Sequence, residues 1–323
     1  MTEGSDPSYC LAIDIGGTKI GAGLVDAAGA LEWQDWIRTP RANDPDALFA
    51  VVADLIAIAF GAADARGEVV AVGIGCGGPM RGELVSPLNI PAWRDFPLAA
   101  RVRRIPRVVS AQLPVAIDND AKALALAEGW TGAARETGNF LAMVVSTGIG
   151  GGLVVDGRLL DGSAGNAGHI GHLIVEPDGR TCRCGARGCL EAEVSGTAIE
   201  ELTGAPAAEA PPELRERAGR LVGRAVASVA NLLDVRRAFV GGSVALGYGA
   251  AFFLAAQREL DERARIAFAV GARIDPAGLG PDGPLVGAGA VGWRALGHDV
   301  IGGRTPAGQR DPVAAGEPGR APR

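Results

Sequence analysis

Histidine and cysteine are scarce in this chain of 323 residues, which holds three of the first and five of the second. Basic runs are missing too: beyond short clusters such as Arg101, Arg103 and Arg104 there is no lysine- or arginine-rich stretch. The net charge is −6 with a pI near 5.3, which leaves a nucleic-acid surface without support. Long hydrophobic runs are also lacking. The apolar stretch 48–60 is interrupted by Asp54 and is too short to cross a bilayer, and residues 1–8 are polar with no apolar segment behind them. The expectation is a cytoplasmic protein with no membrane partner and a small-molecule ligand. A composition of 48% hydrophobic and 21% charged residues suits a large buried core, and the length suits two domains.

Against that scarcity, three of the five cysteines crowd into TCRCGARGCLE, residues 181–191: Cys182, Cys184 and Cys189. In a reducing compartment such a cluster favours a metal over disulfides. Two of the three histidines, His169 and His172, lie just upstream in GNAGHIGH. One imidazole nitrogen from His172 and three sulfurs can close a tetrahedral zinc site, with Gly185 and Gly188 making the tight turns. Four protein ligands leave no open position, so such a zinc would be structural. Cys10 and Cys76 sit in apolar, strand-like surroundings and read as small core residues, and His298 has no partner pattern.

A repeat organises the rest. Residues 9–37 read as a strand, a glycine turn, a second strand, a short turn and a third strand, and residues 140–160 repeat the plan. An offset of 130 sets Leu11 and Ala12 on Leu141 and Ala142, and Val25 and Asp26 on Val155 and Asp156. Glycine in both turns lets the backbone bring exposed N–H groups close to a ligand, so two facing turns could grip a polyphosphate. Neither turn matches a P-loop or dinucleotide signature, since the second is followed by a strand pattern instead of a helix. Helices are expected at 46–60, capped by Asp44 or Asp46, and at 213–233, 250–264 and 279–296. Strands are expected at 69–75 and 238–243. Segment 114–130 reads as a strand running into a helix, with Asp118, Asn119 and Asp120 at the junction, where α/β folds build sites. From about residue 302 the Pro, Gly and Arg content predicts a disordered tail.

The motifs DIGGTK (14–19), DND (118–120), STGIGGG (146–152), GNAGHIGH (165–172), CRCGARGCLE (182–191), FVGGS (239–243) and LVGAGAVG (285–292) together resemble the ROK family of sugar kinases and repressors over nearly the whole chain. The resemblance implies a two-lobed α/β fold with a duplicated ribonuclease-H-like core, of the actin, hexokinase and chaperone-ATPase superfamily. The small lobe would be 1–118 with a returning C-terminal helix at about 288–300, and the large lobe 119–287 with the zinc loop. It implies that Asp120 is the catalytic base for a sugar hydroxyl attacking ATP, and that Asn119 hydrogen-bonds a ring hydroxyl. Asp14 would hold Mg²⁺. Gly16, Gly17, Thr18 and Lys19, with Thr147 and Gly148, would line the phosphates, and Gly241 and Gly242 would lie against the adenosine. Gly78, His169, His172 and Glu191 would face the sugar, with zinc holding Glu191 and His172 in place. Without the family, Asp120 reads as an ordinary helix cap and Glu191 as a solvated acid.

One position departs from the family pattern: His169 stands where a sugar-binding glutamate is usual. Neutral histidine offers one donor and one acceptor where a carboxylate only accepts, so the sugar contacts differ, with a pH sensitivity expected near neutrality. SPLNIPAWRDFPL (86–98) and GCGGP (75–79) resemble glucokinase-like members, which tilts the expectation toward glucose phosphorylated at its 6-hydroxyl. N-acetylmannosamine and N-acetylglucosamine are the alternatives. The family's repressors carry a helix-turn-helix ahead of the DxGGTK loop, and thirteen residues precede Asp14 here, so a kinase is expected. A sugar binder without catalysis is a further reading, and the resemblance implies a homodimer.

Overall fold

The computed structural model describes residues 7–41 and 43–301. The tail expected beyond 302 lies outside them. The chain opens with three strands, β1 (Ser8–Ile15), β2 (Lys19–Asp26) and β3 (Leu31–Arg38), then helix α1 (Pro45–Ala63) and strand β4 (Glu68–Cys76). A small hairpin, β5 (Met80–Arg81) and β6 (Leu84–Val85), and two single-turn helices, α2 (Leu98–Val102) and α3 (Pro106–Ser110), lead to β7 (Val115–Asn119) and α4 (Asp120–Trp130). The second half runs β8 (Phe140–Val145), β9 (Ile149–Val155), β10 (Arg158–Leu159), α5 (Leu190–Val194), α6 (Gly196–Thr203), α7 (Pro212–Leu233), β11 (Arg237–Gly241), α8 (Ser243–Arg263), β12 (Arg273–Pro276) and α9 (Gly283–Ala295).

Two five-stranded sheets share one topology, β3-β2-β1-β4-β7 and β10-β9-β8-β11-β12, each with its first strands antiparallel and its later ones parallel. This is the repeat seen in the sequence, with one correction. Leu11 pairs with Leu24 and Leu141 with Leu153, so the second strand of each copy is related by 129 and not 130. The second glycine turn is one residue shorter, and Val25 corresponds to Val154 instead of Val155. β1 is buried along nearly its whole length, as a central strand must be, whereas the edge strand β3 exposes Glu32, Gln34 and Asp35.

Each sheet's last strand in chain order runs into a helix, α4 after β7 and α9 after β12. These two helices pack on one another, α4 reaching β8 and β9 while α9 lies across β1, β2 and β4. The α9 contact is close because its facing positions are small: a Cβ on Gly73 would sit 1.9 Å from the Ala288 carbonyl oxygen, and one on Gly292 would sit 2.2 Å from Cys10 Sγ. Trp293 Nε1 donates to the Val25 carbonyl at 3.0 Å. The helix spans Gly283–Ala295, five residues ahead of the expected 288–300 at each end. Two larger cores fill the outer faces, one under α1 and the other under α7 and α8.

Two local expectations need correction. α8 starts at Ser243, well before 250, and Gly249 (φ 59°, ψ −139°) breaks its line, which is why the periodicity is read only beyond that point. α1 is longer than the apolar run that marks it, and by length and composition it could cross a bilayer. Its inner face, Leu48, Val52, Ile56 and Ala59, is buried against the first sheet. Pro45 in its first turn and Asp44, whose side chain accepts from the Asp46 N–H at 2.9 Å, start it as expected.

Candidate active site

The carboxyl ends of β1, β4 and β7 bring Asp14, the loop Gly77–Gly78 and the 118–120 junction together. Asp14 is 8% exposed. Burial pushes its carboxyl up to about 8, the charge of Asp120 adds to the rise, and Lys19 opposes it. Asp120 opens α4, and its Oδ1 accepts from the Ala121 N–H at 2.8 Å. Burial lifts it to about 6 against that hydrogen bond, and the negative charge of Glu191 contributes to the rise. A Cβ on Gly77 would lie 3.0 Å from Asp120 Oδ2, so glycine leaves the carboxylate room on that side. The capping role that suggested itself for Asp120 belongs to Asn119, whose Oδ1 accepts from Ala121 N at 3.0 Å and Lys122 N at 3.4 Å. Its Nδ2 donates to the Gly78 carbonyl at 3.2 Å, leaving one N–H of the amide for a ligand. Gly78 holds φ +83°, which glycine adopts without strain.

Glu191 lies in the first turn of α5, and its Oε2 accepts from the Ile149 N–H at 2.9 Å, which pins the end of the second glycine turn. Its other oxygen carries no such partner among the hydrogen bonds of the described residues. The negative charge of Glu191 raises the pKa of both Asp120 and His169. His169 is half-buried. Burial and then His172 lower its pKa below the ordinary imidazole value, with Glu191 partly offsetting, so the titration expected near neutrality moves to lower pH.

The two glycine turns face each other as expected and touch: Thr18 Oγ1 and Thr147 Oγ1 are 3.3 Å apart. Thr39 braces the first turn through Oγ1 to the Gly16 carbonyl at 2.7 Å. Lys19 points elsewhere than a phosphate-lining role implies, since its ammonium lies 3.7 Å over the Trp36 ring. Gly241 ends β11, and Gly242 (φ +96°) caps α8, where a Cβ would meet the Val145 carbonyl oxygen at 2.4 Å. Ser243 follows, 2.9 Å from Ser146 across the two strand ends. Between the turns and the start of α8 lies a cavity of about 620 Å³, lined in part by Thr18, Asn89, Thr147, Ser243 and Tyr248.

The cysteine cluster forms as its spacing suggests. One donor atom from each of His172, Cys182, Cys184 and Cys189 lies within 4.8 Å of every other. Cys182 Sγ is 3.7 Å from His172 Nδ1, and Cys184 Sγ is 3.7 Å from Cys189 Sγ. Metal–sulfur bonds near 2.3 Å put tetrahedral sulfurs about 3.8 Å apart, so this donor set fits a four-coordinate soft cation. Such a use of His172 Nδ1 aims one nitrogen at the cluster and leaves only Nε2 for a sugar.

Three residues of the site were not singled out in the sequence, although Asn166 lies in GNAGHIGH and Asn89 in the 86–98 loop. Asn166 joins the halves, its Nδ2 donating to the Met80 carbonyl at 2.7 Å and its Oδ1 accepting from the Met80 N–H at 2.8 Å. Asn89 packs on Gly17 from the 86–98 loop, and Lys122 is buried between Asp118 at 2.9 Å and Asp161 at 2.7 Å. Each depends on a partner far along the chain.

Comparison with known proteins agrees with this geometry. The ROK family model matches residues 10–292. N-acetylmannosamine kinase of Haemophilus influenzae is 34% identical over 297 residues, covering 86% of this chain and 93% of that protein. A ROK hexokinase from Thermus thermophilus superposes with TM-score 0.73 at 32% identity, covering 90% of this chain and 99% of its own. A ROK family glucokinase from Streptomyces griseus, solved in complex with glucose and AMPPNP, gives 0.75 at 28% identity over 88% of this chain and 99% of its own. With the duplicated sheets, the paired glycine turns and a family match across nearly all the described residues, the chain belongs to the ROK family.

Proposed function

We propose that this sugar kinase transfers the γ-phosphoryl group of ATP to the 6-hydroxyl of N-acetylmannosamine. The observation that carries the choice of sugar is the likeness to N-acetylmannosamine kinases, 34% identical over 86% of the chain, against 28% for the glucokinase structure. Glucose, favoured by the 86–98 and 75–79 segments, becomes the second reading. Residue 169 supports the same choice. A neutral imidazole beside Glu191 can donate to the carbonyl of an acetamido group, a contact that glucose cannot return and a glutamate could not make.

The residues divide the work. Asp120, ionised at neutral pH, accepts the hydroxyl proton as the sugar oxygen attacks. Glu191 and the remaining N–H of Asn119 orient the ring, which matters because phosphoryl transfer depends on alignment more than on covalent chemistry. Asp14 would hold Mg²⁺, since a buried carboxylate raised to about 8 is relieved by a cation. Mg²⁺ supplies charge neutralisation on the phosphates. His172, Cys182, Cys184 and Cys189 would hold Zn²⁺ as a closed structural site that fixes the segment leading to Glu191.

The test is ADP release from Mg-ATP with N-acetylmannosamine, N-acetylglucosamine, glucose, mannose and fructose, with Asp120→Asn as control. Highest kcat/KM on N-acetylmannosamine, abolished in the variant, is the expected result. A preference for glucose would overturn the choice of acceptor, and sugar binding without ADP release would overturn the kinase.

A further inference from the structure

The sequence has two lysines in 323 residues, Lys19 and Lys122. Lys122 is buried between Asp118 and Asp161, and Lys19 is stacked over Trp36. The glycine turns offer N–H groups and hydroxyls but no formal charge. Phosphoryl transfer needs positive charge beside the terminal phosphates. Beside a metal ion and Lys19, whose charge reaches Asp14 from over the Trp36 ring, two arginines line the 620 Å³ cavity, Arg41 from the first half and Arg183 from the second.

Arg183 is the one held in place. It stands between Cys182 and Cys184, in a turn closed by the Cys182 N–H to the Ala186 carbonyl at 2.7 Å and the Gly185 N–H to the Cys182 carbonyl at 2.9 Å. Its guanidinium pairs with Glu201 at 3.0 Å and reaches Asn89 Oδ1 at 3.5 Å. Asn89 in turn packs against Gly17 of the first turn and lies beside Gly148 of the second, where an added Cβ would be 3.5 Å from Asn89 Nδ2. The side chain is therefore seated where both turns converge, and it is more than half exposed to the cavity, with N–H groups free beyond those two contacts.

We propose that Arg183 is a catalytic residue that binds the terminal phosphates of ATP. In the transfer the bond from the γ-phosphorus to the β,γ-bridging oxygen breaks, and a bond from that phosphorus to the sugar oxygen forms. The hydroxyl proton passes to Asp120. Arg183 neutralises the charge that gathers on the departing ADP. The cysteine loop thus serves both substrates, Glu191 on the sugar side and Arg183 on the phosphate side. This assignment rests on ATP as donor and not on which sugar is the acceptor.

The experiment is calorimetry of ATP, ADP and AMP with Mg²⁺ on wild type, Arg183→Gln and Arg183→Lys, with zinc content checked and turnover measured alongside. Arg183→Gln should weaken ATP at least about tenfold and cut kcat/KM for ATP by about a hundredfold or more, with AMP within about twofold of wild type, and Arg183→Lys should recover part of the loss. Unchanged ATP affinity and turnover in Arg183→Gln would overturn the proposal. So would equal losses for ATP and AMP, which would mark a change in the shape of the cleft. If wild type turned over none of the sugars tested, the proposed acceptor would fail, while the ATP-against-AMP difference would still decide the role of Arg183.

Discussion

The acid limb of the pH profile is the most direct test of the base. A surface aspartate ionises near 3.8, so an enzyme depending on one would keep its activity down to pH 5. Burial lifts Asp120 to about 6, and the charge of Glu191 contributes to that rise. A group of pKa near 6 is about 90% ionised at pH 7 and about 10% at pH 5, so kcat/KM for the sugar should fall about tenfold between them, most of it below pH 6. Initial rates of ADP formation, followed by phosphorus NMR so that no coupling enzyme limits the range, would give the profile from pH 5 to 8.5. Glu191→Gln removes one cause of the rise, so the limb should move to lower pH on top of any loss in sugar affinity. Asp120→Asn should lose about a hundredfold to ten-thousandfold and show no limb. A profile flat to pH 5 would refute the assignment.

Asp14 carries the opposite lesson for stability. Folded, it holds its proton up to about pH 8, while the unfolded chain releases it near 3.8, so the native state loses stability as pH rises through that window. Without Mg²⁺, Asp14→Asn should raise Tm by at least about 3 °C at pH 8 and by little at pH 4, while abolishing turnover; equal Tm values at pH 8 would count against the buried, raised carboxyl. Gly168 has φ +97°, and a Cβ there would lie 2.2 Å from the Gly151 carbonyl oxygen, so Gly168→Ala should cost about 2–4 kcal/mol in a denaturant titration or displace His169 and weaken sugar binding. A wild-type midpoint with wild-type sugar affinity would contradict that packing. Cys189→Ser should lower bound zinc and weaken sugar binding, because Glu191 follows two residues later and holds the Ile149 N–H; zinc loss with intact sugar affinity would separate the cluster from the site.

What the sequence disclosed and what it hid follow from the range of the interactions. The strand, turn, strand plan, the Asp44 cap and the cysteine loop are written in neighbouring residues, and each formed where its pattern lay. Contacts that join distant segments left no such mark: Asn166 with Met80 is separated by 86 positions and Arg183 with Asn89 by 94. Nor could spacing assign the cap at 119–120, because Asn and Asp both cap well and only the backbone geometry chooses between them. The offset of 130 for Val25 failed for a related reason. A turn shortened by one residue preserves both strands while shifting everything after it, and few identities were present to reveal the slip.

The duplication explains why scaffold and chemistry differ in legibility. Both copies need the same sheet, so the same apolar and glycine positions recur and announce themselves. Each copy supplies a glycine turn, and the two turns meet through Thr18 and Thr147. The charged groups do not recur. Asp14, in the first copy, is answered by Val144 at the equivalent point of β8, and by strand register Asp120 is answered by Leu279, the acid at the start of α9, Asp282, lying three residues further on. A symmetric pair of acids would place four carboxylates around one polyphosphate and repel it. In the proposed roles one acid serves a cation and one a proton, both from the first copy's strand ends, while the second copy brings Glu191 and Arg183 through the cysteine loop. Under the proposed reaction one substrate is a neutral sugar and the other a polyanion, so the two copies would face different ligands, and symmetry in the fold gave no way to foresee which copy would hold which group.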